Sequence, residues 1–170
     1  MAQPQLKPGQ RRLGRSGLVT SKVGIGTLQW GDEKCGFNSA YRESDLRAAF
    51  DAAAGGGIGF WDTAEVYGYQ QHQFGSGSEQ LLGRFAAELQ EEPPTPLCVG
   101  SKVFTIPWTN LLVGGSPRLG REALVAALRA SVERVGRPLD LWSIHFPFPT
   151  FKQSVLMVRT CSAAPGGAED

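Results

Sequence analysis

Four short apolar stretches, each running into a polar or ionisable residue and each parted from the next by a helix-like segment, constrain this chain more than any other feature. They occupy residues 22–30 (KVGIGTLQW), 59–68 (GFWDTAEVYG, apolar at its head), 97–103 (LCVGSKV) and 139–146 (LDLWSIHF). Runs of this length next to glycine or proline read as buried strands. Between them lie amphipathic segments. Residues 45–54 put Leu46, Ala49, Phe50 and Ala53 on one face, with Ser44 as the expected cap and glycines 55–57 as the stop. A second helix, past residues 76–79, carries Leu81, Leu82, Phe85 and Leu89, and Ser76 and Glu79 have capping-box spacing. A third covers 121–135 with Leu124, Leu128, Val132 and Val135 on one stripe, ended by Gly136 and Pro138.

Strand and helix therefore alternate. Asp62, Lys102 and His145 recur at intervals of 40 and 43 residues. Such a repeat of βα units implies a parallel sheet with helices outside it. In a (β/α)8 barrel the C-terminal strand ends share one rim, where active sites sit. A doubly wound open sheet would also gather them along one edge. The dinucleotide fingerprint of that second architecture is missing, because Gly24-x-Gly26 continues to Gln29 and Gly75-x-Gly77 to Gln80. Each lone G-x-G reads equally well as a tight turn. Ahead of the first strand, residues 1–10 read as a flexible polar tail, and turn chemistry at residues 14–17 predicts a small hairpin.

Composition narrows the class. At 170 residues the chain is long enough for one domain with a core, and 41% hydrophobic against 19% charged residues is a globular balance. A net charge of +1 supplies no basic field for nucleic acid or an anionic membrane. No apolar run approaches the roughly 20 residues of a membrane span. The three cysteines, Cys35, Cys98 and Cys161, form no metal-ligand spacing, so no metal site is expected, and Cys98 reads as a small core residue.

Asp62, Tyr67, Lys102 and His145 suit one kind of chemistry when taken as a set. A phenol is a weak acid, and a neighbouring ammonium favours its phenolate. A carboxylate can hold that ammonium in place. An imidazole can orient a carbonyl oxygen or pass a proton. Together they suit protonation of an oxygen that gains negative charge as hydride adds to a carbonyl. Each residue alone has a blander reading: a solvated strand end, a lysine snorkelling to the surface, a core histidine. Glu65 reads as a rim charge without a role, and His72, in a Gln-rich loop, as solvent-exposed.

The run DTAEVYG after a strand, a lysine closing the next strand in SK, and LDLWSIHF closing the fourth resemble the aldo-keto reductase family. The opening RLGRSGLVTSKVGIGT also resembles that family's start, and SGSEQLLGRF resembles its plant and algal branch, which includes pyridoxal reductase. The resemblance covers residues 11–157. It implies a partial (β/α)8 TIM barrel, an α/β fold of about the first four βα units with an N-terminal hairpin plugging its floor. It further implies NADP(H)-dependent reduction of aldehydes or ketones. Tyr67 would be the general acid, Lys102 would assist it, Asp62 would pair with Lys102 and His145 would orient the carbonyl. Gly26 and Thr27 would lie near the nicotinamide, and Trp30 would be an aromatic at the pocket rim.

The family's barrel has eight strands, and residues 158–170 (VRTCSAAPGGAED) show no apolar periodicity. They read as an unrelated irregular tail, and the strands that hold most of the family's cofactor are missing. Binding of NADP(H) by this chain alone is therefore expected to be weak or absent. Besides an oxidoreductase acting on a small carbonyl compound, two readings stand open. One is an inactive fragment that binds a partner through an exposed sheet edge, and the other is a non-functional splice or gene-model product. The expected compartment is the cytoplasm or a plastid.

Overall fold

The computed structural model describes residues 5–104 and 120–145. Residues 105–119, Phe146 and the 158–170 stretch read as a tail lie outside the described residues. In chain order the elements are β1 (Gln10–Arg12), β2 (Val19–Ser21), β3 (Gly24–Gly26), α1 (Glu43–Gly55), β4 (Phe60–Asp62), α2 (Ser78–Ala87), β5 (Cys98–Phe104), α3 (Arg121–Val135) and β6 (Leu141–His145). Short 3-10 turns lie at Glu33–Cys35 and Tyr69–Phe74.

β1 and β2 form the expected antiparallel hairpin, and β3-β4-β5-β6 form a parallel sheet in sequence order. In its register Gly26 lies beside Asp62, Asp62 beside Gly100, and Lys102 beside Ser143. The hairpin begins inside the segment read as a tail. Gln10 is buried, and its side-chain amide reaches the Pro94 carbonyl and the Thr95 hydroxyl, each at 3.3 Å. The Ser21 hydroxyl accepts from the Gly59 and Phe60 amides at 2.9 and 3.1 Å. These bonds fix the hairpin against the N-terminal end of β4, opposite to the end where Asp62 lies.

The pleat divides each strand's side chains between two faces. Trp61, Val99 and Val103 face the helices, all wholly buried, whereas Asp62 and Lys102 face the other side. The main core lies between sheet and helices and joins Trp30, Phe50, Trp61, Leu81, Leu82, Phe85, Val99 and Val135. Phe50 of α1 meets Trp61 with ring centroids 4.6 Å apart, and Trp30 packs on Phe85 at 5.6 Å. A smaller cluster of Val103, Leu124 and Ala127, flanked by Trp142 and Ile144, seats α3 on the last two strands.

Helix starts differ from the sequence reading. α1 begins at Glu43, and the Arg42 amide donates to the Asp45 carboxylate at 2.8 Å, so Ser44 is not the cap. α2 starts behind Gly77, whose amide donates to Gln80 Oε1 at 3.0 Å. Glu79, released from any capping task, is fully buried. β3 is only three residues long because the chain turns away after Thr27, whose amide still reaches the Asp62 carbonyl and whose own carbonyl accepts from Trp30.

Candidate active site

Asp62 ends β4, and Lys102 and His145 lie near the ends of their strands, so the sheet delivers three of the four expected side chains to one rim. Tyr67 comes from the loop after β4. That loop closes in a turn with the Tyr67 amide on the Ala64 carbonyl at 3.1 Å. It then reverses at Gly68, which has φ of 63°. A side chain there would also run into the Trp30 carbonyl, so glycine is required twice over.

The four groups converge. The Lys102 ammonium donates to Asp62 Oδ2 at 2.6 Å, to the Thr63 carbonyl at 2.8 Å and to the Tyr67 hydroxyl at 3.5 Å. Its nitrogen also lies 4.9 Å from the centre of the Tyr67 ring, within cation–π range. The His145 ring meets Tyr67 edge-on, with centroids 5.5 Å apart and an interplanar angle of 82°. Phe104 borders the same imidazole at 5.0 Å. Burial, helped by the Lys102 charge and opposed by Asp62, pushes His145 down to about 4. The imidazole is therefore neutral near neutral pH and can offer an N–H without adding charge.

The remaining expected residues divide. Gly26 is exposed beside Asp62, and a side chain at that position would meet open space, so a flat ring can approach the backbone there. Thr27 is wholly buried, with its amide and its hydroxyl both donating to the Asp62 carbonyl at 3.0 and 3.2 Å. Trp30 is not a rim aromatic: its ring is only 7% exposed and packs into the core against Trp61 and Phe85. The polypeptide turns at Thr27, with the Trp30 amide on its carbonyl, and carries the indole to the helix side.

Three polar residues around the site were misread or missed from sequence. Glu65 is not an idle rim charge. It is 3% exposed, and its carboxylate accepts from the Phe104 amide at 2.5 Å while its amide donates to the Lys102 carbonyl at 3.3 Å. It thereby clamps β5 on both sides of Val103. His72 is half-buried rather than solvent-exposed, and burial with the nearby Arg134 charge pushes it down to about 4. Ser78 is fully buried at the head of α2, where its hydroxyl meets both Thr27 and Thr63. The expectation for Cys98 holds: the thiol is buried, and burial with Asp140 pushes it up to about 11.

Residues 22–164 match the model of the Aldo/keto reductase family, a span running past residue 157. Over 120 residues the chain is 32% identical to the chloroplastic pyridoxal reductase of Arabidopsis thaliana, covering 69% of this chain and 30% of that protein. An uncharacterized oxidoreductase of Mycobacterium tuberculosis is 29% identical over 137 residues, covering 81% of this chain and 36% of the relative. Among solved structures, a thermostable aldo-keto reductase in complex with the inhibitor epalrestat superposes with a TM-score of 0.57 at 25% identity, over 88% of this chain and 48% of that one. An aldo-keto reductase from Klebsiella pneumoniae in complex with NADPH superposes with a TM-score of 0.51 at 24% identity, over 75% and 36%. This chain thus spans about a third of the length of the curated relatives named. The fold is the corresponding part of a (β/α)8 barrel, and the chain belongs to the aldo/keto reductase family of oxidoreductases.

Proposed function

We propose that this chain carries the proton-donating site of an NADP(H)-dependent carbonyl reductase, with Tyr67 as the general acid. The observation that carries the reading is the Lys102 ammonium, bracketed by the Asp62 carboxylate at 2.6 Å and the Tyr67 hydroxyl at 3.5 Å. The open backbone at Gly26 suits the reacting end of a nicotinamide. Lys102 is already committed to Asp62, so the phosphates of a dinucleotide would need other partners. Reduced nicotinamide, when bound, supplies the hydride that adds to the carbonyl carbon.

The chain's own residues supply the rest. His145, neutral and edge-on to the phenol, holds the carbonyl oxygen near Tyr67 by donating an N–H. As negative charge builds on that oxygen, the Tyr67 O–H passes its proton there. The phenolate left behind is balanced by Lys102, whose positive charge is fixed by Asp62 and by the Thr63 carbonyl. The product is an alcohol, and water returns the proton to Tyr67 in the next cycle.

The test is NADPH oxidation with a panel of aldehydes that includes pyridoxal, in the chain extended to the full length of its relatives. Tyr67→Phe keeps the ring and removes the acid, so turnover falls by about 10²–10⁴-fold with NADPH affinity nearly kept. Near-parental turnover in that variant would move the acid's role to His145.

A second reading, a non-catalytic fragment that works by strand pairing, has one observation in its favour. Among the described residues β6 pairs only with β5, and Leu141 on its inner face is 39% exposed. A concentration-independent monomer by light scattering would dismiss pairing between copies.

A further inference from the structure

We infer that Ser78 and Glu79, the first two residues of α2, are positioning residues for the Asp62–Lys102–Tyr67 cluster, although neither touches a reacting group. Both are wholly buried. The Ser78 amide donates to the Tyr67 carbonyl at 3.1 Å, which ties the backbone of the phenol to the helix. Its hydroxyl lies 2.6 Å from Thr27 Oγ1 and 3.0 Å from Thr63 Oγ1. The Thr27 hydroxyl in turn donates to the Asp62 carbonyl at 3.2 Å. One consistent assignment has each hydroxyl donating once, from Thr63 to Ser78 to Thr27 to Asp62. The dipeptide so fixed is the one that grips Lys102, through the Asp62 carboxylate and the Thr63 carbonyl.

Glu79 braces the partner strand. One of its oxygens accepts from the Ser101 hydroxyl at 2.5 Å and the other from Arg134 Nε of α3 at 2.5 Å. Ser101 precedes Lys102 and faces the helices, so anchoring it fixes the pleat that aims Lys102 at the rim. A buried carboxylate needs such partners: burial raises the Glu79 carboxyl above its usual range, while the Arg134 charge and the hydroxyls oppose that rise. One turn of α2 therefore holds β4 through Ser78 and β5 through Glu79, and sets the spacing between Asp62 and Lys102.

The inference rests on the roles proposed for Lys102 and Tyr67, but its readout needs no turnover. The chain as it exists is acetylated with a trace of amine-reactive ester, and the rate at each lysine is read by mass spectrometry. Ser78→Ala and Ser101→Ala are compared with Thr95→Val, which removes a buried hydroxyl at the opposite end of the sheet. Lys102, held by three acceptors, reacts slowly in the parent. In Ser78→Ala and in Ser101→Ala its rate rises about fivefold, the equilibrium factor for losing one hydrogen bond of ordinary strength. Lys7, Lys22 and Lys34 keep their rates. Thr95→Val leaves Lys102 unchanged at a comparable loss of Tm, which separates positioning from general softening. Parental Lys102 rates in both serine variants, or an equal rise in Thr95→Val, would overturn the inference. A chain that oxidises no NADPH yet gives the expected labelling pattern keeps the positioning device and refutes only the proposed activity.

Discussion

Lys102 is nearer to Asp62 than to Tyr67, 2.6 Å against 3.5 Å, so the ammonium is held by the carboxylate and lent to the phenol. The two neighbours are then unequal when either side of the pair is altered. Lys102→Met removes the charge itself and is expected to lower turnover of the extended enzyme by about 10²-fold or more. Asp62→Asn keeps an acceptor of the same shape, and the Thr63 carbonyl at 2.8 Å still holds the ammonium. Its loss is expected to stay within about tenfold. Comparing kcat for the two variants checks this, and equal losses would give Asp62 a role beyond holding Lys102.

For the chain at its present 170 residues, NADPH binding is expected to be weak. The residues that suit a dinucleotide, Gly26 and the Asp62–Tyr67–Lys102–His145 cluster, all stand at the reacting end. Equilibrium dialysis, or the emission of NADPH itself, is the appropriate readout. Tryptophan quenching is poorly suited, since Trp61 is wholly buried and Trp30 nearly so. Saturation at micromolar cofactor would contradict the expectation.

Stability should fall as pH drops from about 7 to about 5. His72 and His145 are both lowered from an ordinary 6.5 to about 4. As pH falls through that window the unfolded chain takes up the two protons first, which favours unfolding. The contribution is complete above about 6.5 and is lost on the way down through about 4. Glu79, raised by burial, works in the opposite direction and limits the drop. Tm measured at the two pH values in the parent and in His72→Gln and His145→Gln isolates the histidines. A parent Tm that holds steady across the window, with both variants following it, would dismiss them.

Gly83 makes a prediction of unusual sign. Replacing glycine by alanine inside a helix ordinarily gains about 1 kcal/mol. At Gly83 the added Cβ would collide with the Val135 carbonyl, where α2 crosses the C-terminal end of α3. Overpacking of that kind costs about 1–3 kcal/mol, and because the obstacle is backbone it cannot rotate away. Gly83→Ala should therefore lower Tm, and a higher Tm would show that the two helices separate without penalty.

The strands past the first were legible because each is an apolar run that ends near an ionisable residue, a contrast visible without any partner. The ends of α3 were legible, since its Gly136 stop is a local signal, but its buried face runs through Leu124, Ala127, Ser131 and Val135, leaving the expected Leu128 and Val132 half-buried beside it. The buried acids were not legible. Glu65 finds its amide partner 39 residues away, and Glu79 finds Ser101 and Arg134 at separations of 22 and 55. A carboxylate near a helix start looks like a cap until the opposing strand and helix are in place. Trp30 was placed at the rim by the family resemblance, in a segment read as strand through residue 30; the strand stops at Gly26, and the turn at Thr27 that swings the indole into the core leaves only a weak local trace.

The three contacts of the Lys102 ammonium have a chemical corollary. Aldehydes condense with free amines to form imines, and any protein that admits them to a pocket containing lysine risks modifying itself. An ammonium has three hydrogens, and here the Asp62 carboxylate, the Thr63 carbonyl and the Tyr67 hydroxyl take one each. Fully engaged and charged, the nitrogen has no lone pair to offer. The arrangement proposed to ready Tyr67 as the acid would also keep the site's own amine from being consumed by the compounds that the proposed reaction would bring to it.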